Sequence, residues 1–264
     1  MSTMIDKPGK PAISRSFSRA SANYDQSAML QRTTGKRLLE RLPADSMVRH
    51  WLDLGCGTGH FCHALKRCFP KASGIGADLA PGMIAQARQT AAADHWLVAD
   101  AERMPLHDEC VDLIFSNLMV QWCHCFPQVL SEAARLLRPG GILALTSLCD
   151  GTLGELRHSW RQVDEQVHVN RFMTFSAYLH DFDDSGLVVV EADCVAHVMH
   201  HPSLPALRHS LKSIGANNIN PGRRKGLVGR RQWHALLQAY ESFRTPQGLP
   251  ATYQVLYACL MKNP

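Results

Sequence analysis

Residues 50–61 read HWLDLGCGTGHF, a short apolar strand running into glycines at alternate positions, Gly55, Gly57 and Gly59. Glycine has no Cβ, so a strand that breaks into such a turn ahead of a helix lets backbone N–H groups come close to a nucleotide-like ligand. In a dinucleotide-binding turn the third glycine follows the second by three residues. That position is His60 here, and the glycine stands one place early. An acidic residue, Asp53, leads the loop. The spacing departs from the dinucleotide pattern, and the turn is read as a ligand site of another kind; the alternative is a tight strand-to-helix turn with no ligand.

Outward from this loop the chain alternates strands and helices. FCHALKRCF puts Phe61, Leu65, Cys68 and Phe69 on one helical face and stops at Pro70. The strand SGIGADLA follows, with Asp78 near its end and Leu79 beside it. A carboxylate there can accept from both ribose hydroxyls of a nucleoside, or cap the helix that begins at Pro81, or do both. The strand HWLVAD closes at Asp100, flanked by Ala101 and Glu102, where a carboxylate can accept from an exocyclic adenine amine. A fourth strand, CVDLIFSN, ends in Asn117. Ligands of open parallel sheets sit outside the carboxyl ends of the strands, so Gly57, Asp78, Asp100 and Asn117 are expected to converge on one crevice.

FPQVLSEAARLLRPGG then reads as a helix ended by Pro139-Gly140-Gly141, before a fifth strand ILALTSL. This order predicts an α/β fold with a doubly wound, mostly parallel sheet. Beyond it, GELRHSWRQVDEQVHVNRF reads as a helix and LVVVEADCVAHVMH as a long strand. Two helices flank a basic loop, NNINPGRRKGLV, and TYQVLYACLMK reads as a last strand, which brings the sheet to seven. Ahead of the loop, FSRASANYDQSAMLQRTTGKRLLERL has helical periodicity up to Pro43. Such an arm either packs outside the sheet or folds over the ligand site. The expected organisation is a disordered lead-in over 1–14, a helical arm over 15–45, a ligand-binding core over 46–200, a helical basic cap over 201–250 and the final core strand over 251–264.

With 264 residues, 45% of them hydrophobic, the chain can bury one α/β domain with an elaboration. No apolar run approaches the roughly 18–20 residues that span a bilayer, and the first residues contain no signal core, so a cytoplasmic protein is expected. The nine cysteines include no C-x-x-C pair, and Cys123, His124 and Cys125 have no second pair at finger spacing. Reduced thiols and no metal are expected. Net charge is +5. Residues 194–240 contain no Asp or Glu while Arg208, Lys212, Arg223, Arg224, Lys225, Arg230 and Arg231 are all basic. That block suits an anionic partner, or is a solvated basic face. Few aromatics and no RNA-binding motif speak against nucleic acid.

The G-x-G-x-G loop led by Asp53, with the strand-end residues that follow it, resembles the class I S-adenosylmethionine (SAM) methyltransferases. Segments outside that core narrow the resemblance. FSRASANYDQ, NLMVQW, GELRHSWRQVDEQVHVNRF, LKSIGANNINPGR and TYQVLY look like the malonyl-acyl-carrier-protein O-methyltransferases of biotin synthesis, the BioC family. The resemblance implies a Rossmann-like fold and a cofactor set of Asp53, Gly55, Gly57, Gly59, Asp78, Leu79, Asp100, Ala101 and Asn117. It also implies that SAM is converted to S-adenosylhomocysteine as a methyl group passes to the free carboxylate of a malonyl thioester, carried by an acidic acyl carrier protein or by coenzyme A.

A free carboxylate has a pKa of about 4, so this nucleophile is already ionised at neutral pH and needs no general base. The enzyme has to align it and exclude water. Candidate grips are Tyr24, Asn117, Gln121, Trp122 and Arg171. Tyr24 and Trp122 serve equally as lid or core aromatics, and Arg171 as a surface residue. A bidentate arginine blunts a carboxylate nucleophile more than neutral donors do. Arg208, Lys212, Arg223, Arg224 and Lys225 are expected to dock the acidic carrier. Other readings are a methyltransferase for a quinone or another small molecule, a nucleic-acid binder, and a SAM-binding protein without catalysis.

Overall fold

In the computed structural model, residues 9–42, 48–215 and 229–264 are described. Three helices precede the sheet: α1 (Lys10–Ala20), α2 (Tyr24–Ser27) and α3 (Met29–Leu39). Strands and helices then alternate through β1 (His50–Leu54), α4 (His60–Cys68), β2 (Ser73–Asp78), α5 (Pro81–Thr90) and β3 (His95–Val98). β4 (Val111–Asn117), α6 (Phe126–Leu136) and β5 (Leu137–Leu148) follow. The remainder consists of α7 (Gly154–Arg161), α8 (Phe175–Asp183), β6 (Leu187–His201), α9 (Leu204–Ser213), α10 (Arg230–Glu241) and β7 (Leu249–Lys262).

All seven strands join one sheet in the order β3-β2-β1-β4-β5-β7-β6. β1 to β5 run parallel, and β7 lies antiparallel between β5 and β6. This is the expected doubly wound α/β fold. The chain winds outward from β1 to β3 and returns on the other side at β4, so the strand order reverses between β1 and β4. The glycine loop leaves the sheet at that switch point.

Central strands are buried on both faces, which is why β4 is apolar without alternation. Leu113 and Phe115 pack with Trp51, Phe61 and Leu65 on one side, while Ile114 packs with Leu52, Leu130 and Phe182 on the other. The helices between β6 and β7 share the first of these clusters through Leu204, Leu207, Leu236 and Tyr240. The Tyr240 hydroxyl also donates to Pro250 O at 2.8 Å. No described helix is long and apolar enough to cross a membrane. All nine cysteines are free; Cys56, Cys62, Cys123, Cys149 and Cys259 are buried, and Cys68, Cys125 and Cys194 are exposed.

Several expected boundaries move. Of the lead-in expected over 1–14, residues 1–8 lie outside the described ones, and 10–14 belong to α1. Pro11 occupies its first turn, where a missing N–H costs nothing, and Ile13 is buried. The arm is three helices with a 3₁₀ turn at Ser21–Asn23. Helix α6 stops at Leu136, and Pro139-Gly140-Gly141 lies inside β5, beside a register shift between Val111 and Leu113. The helix expected over 154–172 ends at Arg161. Helix α8 was not foreseen, although Thr174 caps it by accepting from Ala177 N at 3.2 Å, and Phe175, Tyr178, Leu179 and Phe182 keep helical spacing.

Candidate active site

The three loop glycines all have positive φ, +80° at Gly55, +55° at Gly57 and +83° at Gly59, but their surroundings differ. A Cβ on Gly55 would lie 2.2 Å from Met119 Cγ, and one on Gly59 would lie 2.4 Å from Ala91 Cβ and 3.1 Å from the Trp96 ring. These two glycines let elements pack closely. A Cβ on Gly57 would meet only Tyr24 Cε1, at 3.9 Å. Its open side is room for a ligand. The loop is stapled to β2, since Gly55 N and Cys56 N both donate to Ala77 O, at 2.8 and 3.0 Å.

Asp78 terminates β2 and holds the loop from the other side. Its Oδ2 accepts from Gly57 N at 3.0 Å and its Oδ1 from Ala80 N at 2.8 Å. Burial pushes the carboxyl up to about 6, with the two N–H donors pulling the other way. It does not cap α5 itself, which has no side-chain cap.

Gly55, Gly57, Asp78, Leu79, Asp100, Ala101 and Asn117 line one cavity of about 90 Å³, as the strand-end argument requires. Asp53 and Gly59 do not line it. Side chains alternate along β1, so Asp53 points with Trp51 toward α4, where Cys62 Sγ donates to its Oδ2 at 3.3 Å. It is 2% exposed, and burial pushes its carboxyl up to about 7. Asp53 supports the loop from beneath.

The arm folds over this cavity. Lys10, Ile13, Ser14 and Phe17, at i, i+3, i+4 and i+7 of α1, close its outer side. Lys10 Nζ is 2.5 Å from Asp100 Oδ2 and 2.5 Å from Glu102 Oε2. Ser14 Oγ donates to Leu79 O, and Gly82 N donates to Ser18 Oγ, both at 3.1 Å. Lys10 went unnoticed in the sequence because it lies within the expected lead-in; the helical spacing of these four residues was the available signal.

A second cavity, of about 1010 Å³, opens between α1, the segment after α7, α9 and α10. Phe17, Tyr24, Leu118 and Trp122 line both cavities. Phe17 and Trp122 meet edge to face with centroids 5.2 Å apart. Tyr24 lies against the glycine loop; burial, and then the charges of Asp78 and Asp25, push its phenol pKa well up, so it stays a donor. Helix α2 is tied to the same loop through Thr58 Oγ1, which donates to Asp25 Oδ1 at 2.8 Å. Leu118 holds φ at +50°, a conformation costly for a residue with a Cβ, steadied by its N–H donating to Thr146 Oγ1 at 2.9 Å.

The remaining expected grips are placed differently. Asn117 Oδ1 accepts from Thr34 and Thr146 hydroxyls, each at 2.8 Å, and its Nδ2 donates to Gln31 O at 2.9 Å. Both ends of the amide are committed to protein, so Asn117 is a strut between α3, β4 and β5. Gln121 lines the large cavity, but its Nε2 donates to Leu118 O at 2.6 Å and its Oε1 accepts from Ser147 Oγ at 3.3 Å. Arg171 is exposed and lines neither cavity, although Asn170 and Phe172 on either side line the large one. The sequence did not flag the stack of Trp160 on His168, centroids 3.5 Å apart, or the His168 Nε2 contact with Asp164 Oδ1 at 2.7 Å, all on the large cavity's wall. Arg208 and Lys212 are exposed on its rim, with the Arg208 guanidinium 5.5 Å from the Trp233 ring centroid. Arg223, Arg224 and Lys225 lie outside the described residues.

Comparison with known proteins places this geometry. A family described as "Methyltransferase domain" matches residues 52–145. The malonyl-[acyl-carrier protein] O-methyltransferase of Pectobacterium atrosepticum is 39% identical over 98% of this chain and 100% of its own length. The chain belongs to the malonyl-[acyl-carrier protein] O-methyltransferase family. The biotin biosynthesis bifunctional protein BioHC of Cellvibrio japonicus is 42% identical over 99% of this chain, which spans about half (51%) of that relative's length. Among solved structures, the protein in complex with the Haloferax volcanii Trm112 methyltransferase activator shares the fold at a TM-score of 0.60 and 20% identity, over 94% of this chain and 98% of its own.

As a malonyl-[acyl-carrier protein] O-methyltransferase family member, the protein is a SAM-dependent methyltransferase. The small cavity fits such a cofactor in its chemistry, with open space over Gly57 and a buried carboxylate at Asp78. Its volume of about 90 Å³ is below the roughly 300 Å³ at which small-molecule pockets begin.

Proposed function

We propose that the protein moves the methyl group of SAM onto the free carboxylate of malonyl-[acyl-carrier protein], leaving the methyl ester and S-adenosylhomocysteine, an early step in building the pimeloyl part of biotin. The observation that carries this reading is the shared wall of the two cavities, since cofactor and acceptor can meet only where Phe17, Tyr24, Leu118 and Trp122 line both.

Bound SAM supplies a methyl carbon made electrophilic by a positively charged sulfur. In the cofactor cavity Asp78 would accept from the ribose hydroxyls, the backbone of Gly55 and Gly57 would hold the amino-acid tail, and Leu79, Asp100 and Ala101 would hold the adenine. Around the transfer point Phe17 and Trp122 keep water out, which leaves the carboxylate poorly solvated and reactive. The Tyr24 hydroxyl donates to the carboxylate oxygen that does not attack and so sets the angle of the one that does. Asn117 and Gln121 keep the Leu118 turn in place. No residue has to remove a proton. The ester carries no charge and accepts a hydrogen bond more weakly than the carboxylate did, so Tyr24 releases the product. Arg208 and Lys212 on the rim suit an acidic carrier protein better than a neutral acceptor.

The test is mass-resolved methyl transfer with malonyl-, acetyl- and succinyl-loaded carrier protein. Methyl ester on the malonyl species alone is expected; transfer to phenolic or quinone acceptors in its place would replace this reading.

The glycines separate fold from cofactor. Gly59→Ala is expected to lose about 2–4 kcal/mol of stability, from overpacking against Ala91 together with left-handed strain. Gly57→Ala should cost only about 1–2 kcal/mol of strain but put a methyl group into the cofactor's space. Thermal unfolding beside isothermal titration with S-adenosylhomocysteine should show stability lost chiefly in the first variant and affinity chiefly in the second.

A further inference from the structure

Helix α1 is a wall of both cavities. One face, Lys10, Ile13, Ser14 and Phe17, covers the cofactor pocket, while Arg15, Ser16 and Arg19 face the acceptor cavity. Arg15 and Arg19 stand one helical turn apart, are exposed, and form no ion pair among the described residues. Across the mouth, Arg208 and Lys212 of α9 line the same cavity. Asp164 is the one carboxylate among its described lining residues, and His168 already holds it. Four cations around a mouth whose acid is taken make a seat for an anion with several oxygens. Helix α1 is also fastened at both ends of this arrangement, by Lys10 to Asp100 and Glu102 on the cofactor side and by Ser16 Oγ donating to Gly215 O at 2.9 Å on the cap side.

We propose that Arg15 and Arg19 bind the phosphodiester that joins a carrier protein to its pantetheine arm, and that this contact holds α1 down over the cofactor. It rests on the malonyl-carrier reading above. The acceptor has two anions, and the cavity gives them different places. The reacting carboxylate belongs at the aromatic constriction between the cavities, away from water, where a forked arginine pair would blunt it. Arg15 and Arg19 are exposed, which suits the anion that stays near the carrier's surface while the thioester end goes in. Docking of the carrier and retention of the cofactor then become linked, each raising the other's affinity by the same factor.

The experiment compares wild type with the Arg15→Gln/Arg19→Gln double variant on malonyl-carrier protein, malonyl-4′-phosphopantetheine and malonyl-pantetheine, the last of which has no phosphate. The double variant is expected to raise KM about tenfold on the two phosphorylated acceptors, with kcat held and malonyl-pantetheine unaffected. S-adenosylhomocysteine is also titrated with and without malonyl-carrier protein. Its dissociation constant should tighten about fivefold or more in wild type and stay level in the variant. Both substitutions are at exposed helical positions and keep a good helix former, and thermal unfolding checks the fold. Equal KM rises on all three acceptors would overturn the phosphate assignment, and wild-type cofactor affinity indifferent to the carrier would overturn the linkage. Wild type that esterifies no malonyl thioester would instead sink the underlying reading, a result distinct from either.

Discussion

Asp78→Ala is expected to weaken S-adenosylhomocysteine binding by about 10²–10⁴-fold, the loss of two hydrogen bonds to a charged acceptor at about 1.5–3 kcal/mol each. The same substitution frees Gly57 N and Ala80 N, both of which donate to this carboxylate, so the loop loses its anchor at the point where it meets the cofactor. A pH dependence follows from the same side chain. Burial raises its carboxyl to about 6, and ribose hydroxyls donate more strongly to the ionised form than to the neutral acid. Affinity should therefore fall as pH drops through about 6, by at most tenfold per pH unit below it.

The folded protein, with this pKa raised, binds more protons than the unfolded chain between about pH 4 and 6. This group therefore costs stability as pH rises through that window, and cofactor binding offsets the cost above it. Asp53 is buried nearby and raised to about 7, which makes Asp53→Asn the control. Isothermal titration from pH 5.5 to 8 should show the slope in wild type and in Asp53→Asn, and no slope in Asp78→Ala. A slope that survives in Asp78→Ala would assign it to another group.

Trp122→Ala should lower kcat by about 10²-fold, the size of loss that small misalignments of reacting groups produce, while changing cofactor affinity far less. Trp122 lines both cavities and props Phe17 of α1 edge to face. Its removal forfeits about 0.5–1.5 kcal/mol of ring contact. The larger consequence is water at the transfer point, which re-solvates the carboxylate and loosens its angle. Trp122 is only partly buried, so the fold should be retained. Trp122→Phe should recover most of the rate, because it restores an apolar edge against Phe17. Single-turnover kinetics with malonyl-carrier protein separate the chemical step from binding; an unchanged single-turnover rate in Trp122→Ala would remove this residue from the transfer point.

The β-α alternation, the glycine loop and the strand-end residues Gly57, Asp78, Leu79, Asp100 and Ala101 were all legible in the sequence. Each depends on local patterning together with one topological rule, that parallel strands deliver their carboxyl ends to the same edge. Asp53 also stands at the loop, but the two-residue alternation of β1 turns it toward α4. The spacing was in view, yet which face carried the helix was not. Residues 10–14, KPAIS, looked like a lead-in because a single isoleucine among polar and small residues beside Pro11 carries little helical signal. They are helical because Ile13 is buried against the rest of the protein and Lys10 pairs with an aspartate ninety positions away.

Asn117 shows the same limit most clearly. Its place at the end of β4 was correct, but its amide oxygen is taken by Thr34 and Thr146, which lie 83 and 29 positions away, and its nitrogen donates to Gln31 O. The cations that line the acceptor cavity come from α1 and α9, nearly two hundred residues apart. The sequence by itself determined the layered fold, the glycine loop and the basic character of the cap, since composition, periodicity and turn chemistry act over a few residues. Only the tertiary structure decided which side chains remain open to a ligand and which are satisfied by the protein, because a hydrogen-bonding group is spent on whichever partner packing brings within about 3 Å.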